Sequence, residues 1–178
     1  MSKSWSGLRK RLETDLLCEK LRGRVQYFLT RYHGAPDQYG RFALRLDGRE
    51  IAFANPYNEL KVVRISNEIR RKLGETRSWY ELYEQDKPRY DEIFRLTDAR
   101  CIENNVMEIY HITDALREYL NAPIRDALFS SNPAVRMFAV LDRRIGKRTL
   151  SRLADSVERQ PDWLKPLYRA RLDAEGLL

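Results

Sequence analysis

A chain of 178 residues with 43% hydrophobic content can bury a core and is too apolar for a disordered segment. Two cysteines and two histidines exclude a disulfide framework and leave few soft metal ligands. The net charge of +7 is lopsided, since residues 1–89 carry 19 Lys and Arg against 12 Asp and Glu while residues 90–178 carry 14 of each, and such a field favours acidic or phosphate-bearing partners.

Trp5, Leu8, Leu12 and Leu16 recur at helical spacing, which predicts an amphipathic helix from Ser4 to about Leu21 with Arg9, Lys10 and Arg11 mainly off the apolar stripe. Glu13, Asp15 and Glu19 would repel anionic headgroups, so this helix is expected to cover core rather than membrane. From Arg24 the period becomes two. Val25, Tyr27 and Leu29 form a first strand, a turn-rich stretch runs from Gly34 to Gly40, and Phe42, Leu44 and Leu46 form a second strand. Asp47-Gly48 marks a two-residue hairpin. The expected register pairs Leu46 with Arg49, Leu44 with Ile51 and Phe42 with Phe53, with Ile51 and Phe53 facing the core.

At Asn55-Pro56 the rhythm changes to 3.6, and this pair is expected to open a helix carrying Val62, Ile65, Ile69 and Leu73 and ending at Gly74. Ser78-Trp79-Tyr80-Glu81 has the form of a capping box for a short helix broken near Pro88. Tyr90, Ile93, Phe94 and Cys101 continue on a third helix, and Val106, Ile109, Ile112 or Thr113, Leu116 and Leu120 mark a longer one, interrupted at Asn121-Ala122-Pro123. Asn132-Pro133 starts another, Gly146 stops it, and Lys147 to about Arg159 follows with Leu150, Leu153 and Val157 inward. Pro161 begins the last helix, with Leu164, Leu167, Tyr168 and Leu172.

The pattern predicts an α+β fold: an N-terminal helix, a three-stranded antiparallel β-meander, and a C-terminal bundle of short helices with a HEAT-like αα pair. One domain is expected, with helix plus meander (1–54) and helical part (55–178) sharing a core. The longest apolar run, Met137 to Leu141, is far short of a membrane span, and no signal-like stretch opens the chain. The expectation is therefore a cytoplasmic protein without membrane contact.

The run from Asn132-Pro133-Ala134-Val135-Arg136 through Leu141-Asp142-Arg143-Arg144-Ile145-Gly146-Lys147-Arg148 resembles the C-terminal signature of a family of small, uncharacterised bacterial proteins. The opening Trp5 to Leu12 helix and the later run from Tyr168 to Gly176 are similar to that family as well. The resemblance implies a bacterial, intracellular protein and brings no activity with it.

Two groups of cations are candidate anion- or nucleic-acid-binding residues. Arg143, Arg144, Lys147 and Arg148 surround the Gly146 turn, where cations and helix-start amides can hold a phosphate or carboxylate. The competing, preferred reading is a tight interhelical turn in which Asp142, near the apolar face, pairs with one of these arginines. Arg41 and Arg45 fall on the outer face of the meander beside Phe28 and Tyr32, as on sheets that stack bases. Ala43, Ala52 and Ala54 are expected on the same face, which suits close packing of the N-terminal helix instead.

Asp47 with Glu59-Leu60-Lys61 has the outline of a metal-dependent nuclease motif, but the helix expected after Asn55 puts Glu59 in a first turn, where an acid suits the helix dipole. No Gly-x-Ser-x-Gly elbow exists, and neither His33 nor His111 has an evident orienting acid, so no catalytic residue is assigned. Eight scattered glycines form no phosphate-cradling loop; no cofactor and no metal are expected. Trp79, Tyr80 and Tyr83 are candidate partner-binding aromatics, because Trp and Tyr anchor protein interfaces, and they suit a core-filling role equally well. The leading expectation is a non-enzymatic protein-interaction or regulatory module. Its alternatives are a nucleic-acid-binding accessory protein and an enzyme with an unrecognised site.

Overall fold

A computed structural model describes residues 4–31, 40–55 and 58–178, with the side chain of Arg31 excepted. The expected 34–39 turn, Tyr32, His33 and the Pro56 helix start lie outside the described residues. Helix α1 (Trp5–Lys10) is followed by a wider π-type turn over Arg11–Asp15 and a short 3-10 turn at Glu19–Leu21. Strands β1 (Val25–Arg31), β2 (Gly40–Leu46) and β3 (Arg49–Ala54) come next. Among the described residues eight α-helices follow, α2 (Glu59–Lys72), α3 (Trp79–Gln85), α4 (Lys87–Glu103), α5 (Ile109–Asn121), α6 (Ile124–Leu128), α7 (Pro133–Val140), α8 (Lys147–Leu153) and α9 (Lys165–Ala174), with a 3-10 helix at Ala154–Arg159 after α8. The architecture is α+β, with the helical region after the sheet.

The sheet is an antiparallel meander of order β1-β2-β3. Asp47 and Gly48 both adopt positive φ, 51° and 78°, the type I′ geometry whose twist matches the flanking strands. Pairing starts as expected at Leu46–Arg49, but the register shifts between Leu44 and Arg45, so that Leu44 faces Ala52 and Phe42 faces Ala54. This bulge corrects the sequence reading. Beyond it the alternation inverts: Ala52 and Ala54 are the buried residues, and Ile51 and Phe53 are only half-buried. The physical reason is room. α5 packs on β2 and β3, and two alanines let it approach where Ile and Phe would hold it off.

The N-terminal helix is shorter than its apolar stripe suggests. Its continuation is pre-empted by main-chain pairing: Cys18 N–H donates to the Leu141 carbonyl at 2.9 Å, and Arg143 N–H to that of Leu16 at 2.7 Å. Trp5, Leu8 and Leu16 still pack on the core, and Leu12 is buried in it. α1 contacts β1, with Trp5 edge-on to Phe42 at 6.4 Å and Arg9 over Phe28 at 5.1 Å. Glu13 on the turn after it accepts the Tyr27 N–H at 2.8 Å, which satisfies a donor on edge strand β1.

α7 is the centre of the helical half, with seven of its eight residues buried, Arg136 excepted. It packs against α5, α6 and α9. Phe138 on α7 stacks between Tyr27 of β1 at 5.9 Å and Tyr119 of α5 at 5.6 Å, and touches Phe42 at 6.5 Å. The core cluster built around these rings draws on the inner sheet face and on α5 to α9. α2, α3 and the start of α4 form an outer layer, whose buried Leu82 and Ile93 lie outside that cluster. α2 exposes most of its surface and packs mainly on α4; Ser66 is its one fully buried residue. Gly74 ends α2 at φ 66°, the left-handed cap expected from the sequence.

Arg171 of α9 is fully buried and needs partners there. Its guanidinium pairs with Glu175 and donates to the Ile145 carbonyl at 3.2 Å. Glu175 also receives Lys20 Nζ at 3.1 Å and Cys18 Sγ at 3.5 Å, which ties α9 to the 3-10 turn after α1. The Arg171 guanidinium holds the Glu175 carboxyl down at about 2, below its ordinary 4.5. A folded-state value below the unfolded one stabilises the fold above pH 4.5, and this contribution is lost as pH falls toward 2. Urea midpoints measured from pH 7 to 2 should therefore show Glu175→Gln less stable than wild type at pH 7, with the two curves converging in acid. A constant gap across that range would contradict the pairing.

Candidate functional site

The α3–α4 hairpin gathers aromatic side chains on its outside. Ser78 opens α3 with the expected capping box, accepting the Glu81 N–H at 3.1 Å while its own N–H donates to the Glu81 carboxylate at 2.6 Å. Asp86 ends α3 and caps α4, accepting the Arg89 N–H at 3.2 Å. The two short spacings, Trp79 to Tyr83 and Tyr90 to Phe94, are each four residues on a helix and so share a face. Across the hairpin Tyr90 becomes the hub: Trp79 and Tyr83 both meet it edge-on at 5.3 Å, and Phe94 stacks on it at 6.3 Å.

Cations sit on these rings. Lys87 Nζ lies 4.7 Å from the centre of Tyr83 and 4.3 Å from that of Tyr90, and Arg70 of α2 lies 5.3 Å over Trp79. The hydrogen bond from Lys87 to Asp91 raises the lysine pKa. Beneath the hairpin, Glu75 is clamped by Arg77 and Arg89, and the Arg77 guanidinium holds its carboxyl down at about 2. This ion cluster fixes the turn between α2 and α3 to the first turn of α4.

The three aromatics singled out in the sequence have different fates. Tyr80 is 75% and Tyr83 53% exposed, whereas Trp79 is half-buried between Tyr90 and Arg70 and supports the surface. Phe94, 45% exposed, was not anticipated as a surface residue, because its spacing fits a core stripe as well. Leu60 and Val63 on the neighbouring α2 are also exposed.

The cations around the Gly146 turn separate into two sets. Asp142 is fully buried and accepts Arg144 Nη2 at 2.6 Å, Arg144 N–H at 2.7 Å and the Tyr119 hydroxyl at 2.5 Å. Arg144 is thus committed to the turn, as the structural reading expected. Arg143 faces an open hollow together with Arg144, Arg22 and Asp15, while Lys147 and Arg148 are exposed on α8. On the sheet, Arg41 and Arg45 share one acid, Glu50; the Arg45–Glu50 contact is 3.0 Å, and the Arg41 contact is closer. Arg45 and Arg9 lie over Phe28 from 4.5 and 5.1 Å. Ala43 is buried on that face in the cross-strand row between Phe28 and Phe53.

The structure separates the residues of the nuclease outline. Asp47 is held bidentately by Arg24 at 2.9 Å, and Glu59 is an exposed residue at the start of α2. Among the described residues no group of three or more His, Cys, Asp or Glu is arranged to hold a metal ion, and no helix is long and apolar enough to cross a membrane. Cys18 and Cys101 are free and buried. One expectation needs correction: His111 does have an acid beside it, Asp98 of α4, 3.2 Å from its Nε2. Twelve residues, including a helix–helix turn, separate the two, so no local spacing announces the pair.

A family model described as the SF0329 protein family matches residues 4–172. The chain belongs to this family. No curated protein and no solved structure matches it. The SF0329 match spans α1, the sheet and all but the last residues of α9, so it includes both the aromatic hairpin and the Asp142 turn.

The two readings of the cationic turn in this SF0329 protein predict different mutant behaviour. Arg144→Ala strands the buried Asp142 carboxylate and should cost about 2–3 kcal/mol. Arg143→Ala, Lys147→Ala and Arg148→Ala, all at exposed positions, should each stay within about 0.5 kcal/mol. Chemical denaturation of the four variants checks both statements.

Proposed function

We propose that this SF0329 protein is a non-enzymatic interaction module that docks another protein through the α3–α4 aromatic face. The partner segment carries apolar anchors flanked by acidic residues. The observation that carries the reading is the exposure of Tyr80, Tyr83 and Phe94 on a hairpin held rigid by its own caps and ion pairs. Rigid, exposed rings offer large contact area at little entropic cost, which is why Tyr and Trp dominate interface energetics. None of the three rings belongs to the core cluster of the described residues.

Charge supports the second half of the reading. α2 packs on α4 and carries Lys61, Arg71 and Lys72, none of which has an ion-pair partner among the described residues. With exposed Leu60 and Val63 on the same helix, the rim is both cationic and apolar. The sheet face is a weaker platform for nucleic acid, because Glu50 already occupies Arg41 and Arg45.

Co-purification from native cells with nuclease-treated extract tests the proposal. The double variant Tyr83→Ala, Phe94→Ala should keep its thermal transition and lose the partner that the wild type retains. Loss of the transition would make the rings core residues. Retention of every partner by a folded variant would move the docking surface elsewhere.

A further inference from the structure

The α7–α8 turn and the helix after it hold five cations, Arg143, Arg144, Lys147, Arg148 and Arg152, within ten residues that contain no Asp or Glu. The second half of the chain is neutral as a whole, so this is clustering rather than excess charge. On α8 the buried residues are Leu150 and Leu153, which leaves Lys147, Arg148, Ser151 and Arg152 as one continuous exposed arc. Arg143 is exposed just before them, at an open hollow that also takes in Arg22 and Asp15.

Pairing removes some of these charges and leaves others. Arg144 is held by the buried Asp142, and Arg22 donates to the Thr14 carbonyl at 2.9 Å. Asp15, the one acid of the hollow among the described residues, accepts the Thr14 hydroxyl at 2.9 Å. The side chains of Arg143, Lys147, Arg148 and Arg152 have no ion-pair or hydrogen-bond partner among the described residues. Asp155, the next acid along the chain, stands past the end of α8. Because the Asp142 network fixes the turn, the four free cations are carried on a rigid mount.

The composition of the patch selects its partner. No large exposed apolar residue among those described lies on this turn or on α8. A surface without aromatic or aliphatic anchors lacks what protein interfaces use for affinity, and without rings it cannot stack unpaired bases. What remains is charge and guanidinium forks, which match phosphate oxygens. Arg148 and Arg152 lie one turn apart, about 6 Å along the helix, and so can meet successive phosphates of one strand.

We propose that this patch binds the phosphodiester backbone of a double-stranded nucleic acid without reading its sequence. Each of the four cations neutralises one phosphate and releases its counterions. The patch shares no residue with the aromatic face, so the two proposals stand or fall separately.

Fluorescence anisotropy of a labelled DNA duplex, titrated with the full chain across a salt series, is the test. Wild type should bind with a log–log salt slope between about −3 and −4, the value for four phosphate contacts. Arg148→Gln with Arg152→Gln, and Arg143→Gln with Lys147→Gln, should keep the thermal transition. Each pair should flatten the slope by about 2 and weaken binding at least about tenfold at low salt. Lys61→Gln with Arg71→Gln and Lys72→Gln on α2 removes more charge and should leave the slope unchanged. Absence of saturable duplex binding overturns the proposal. An equal loss in the α8 and α2 variants does so too, by making binding a property of net charge alone. Tighter binding of the single strand, or competition by poly-glutamate as strong as that of unlabelled duplex, would give the patch a different partner and sink the idea.

Discussion

One buried carboxylate organises the junction on which the fold depends. Asp142 has no exposed side-chain surface, yet it is met by the Arg144 guanidinium, the Arg144 N–H and the Tyr119 hydroxyl. An uncompensated charge there would be prohibitive, so the three donors must be in place together. Their positions have consequences in three directions. The Arg144 bonds fix the turn between α7 and α8. The backbone on either side of Asp142 then pairs with residues 16–18 and docks the amino-terminal segment. Tyr119, held from its hydroxyl end, stacks on Phe138, which stacks on Tyr27 of the sheet. A satisfied polar node of this kind contributes specificity as much as stability, because a shifted turn would leave donors and acceptor unmatched.

Local chemistry was legible in the sequence and non-local packing was not. Asp47-Gly48, Ser78 with Glu81, Gly74 and Asn132-Pro133 each carry their own turn or cap, and each acts where the sequence places it. The bulge at Leu44 was invisible because its cause is α5, some sixty residues on, pressing against Ala52 and Ala54. The early end of α1 was hidden for the same reason, its backbone partners being residues 141–143. Asp142 is the intermediate case: its position beside the apolar face announced a need for a counter-charge, and only the fold chose Arg144. Asp98 and His111 meet because two helices cross, and neither helix encodes that meeting in its own periodicity.

The excess positive charge also looks different once pairs are drawn. Arg9 with Glu13, Arg24 with Asp47, Arg41 and Arg45 with Glu50, and Arg77 with Glu75 and Asp86 all consume cations within the first half of the chain. At partly exposed sites such pairs add little stability individually. Their effect is to decide where the field is not cancelled. Among the described residues one such place is the outer helix α2, with Lys61, Arg71 and Lys72.

α4 borders two different surfaces. Its buried residues, Ile93, Thr97, Cys101 and Ile102, make a narrow seam on a helix of 17 residues. A seam that narrow leaves both flanks available along a rod of about 25 Å. At the amino-terminal end the flank carries Tyr90 and Phe94 and meets α3. At the carboxy-terminal end it carries Asp98 and Glu103 and meets α5. Widening the apolar stripe would secure α4 more firmly, but it would remove either the aromatic face or the acidic flank. The modest burial of this helix is therefore the condition for its leaving both flanks uncovered.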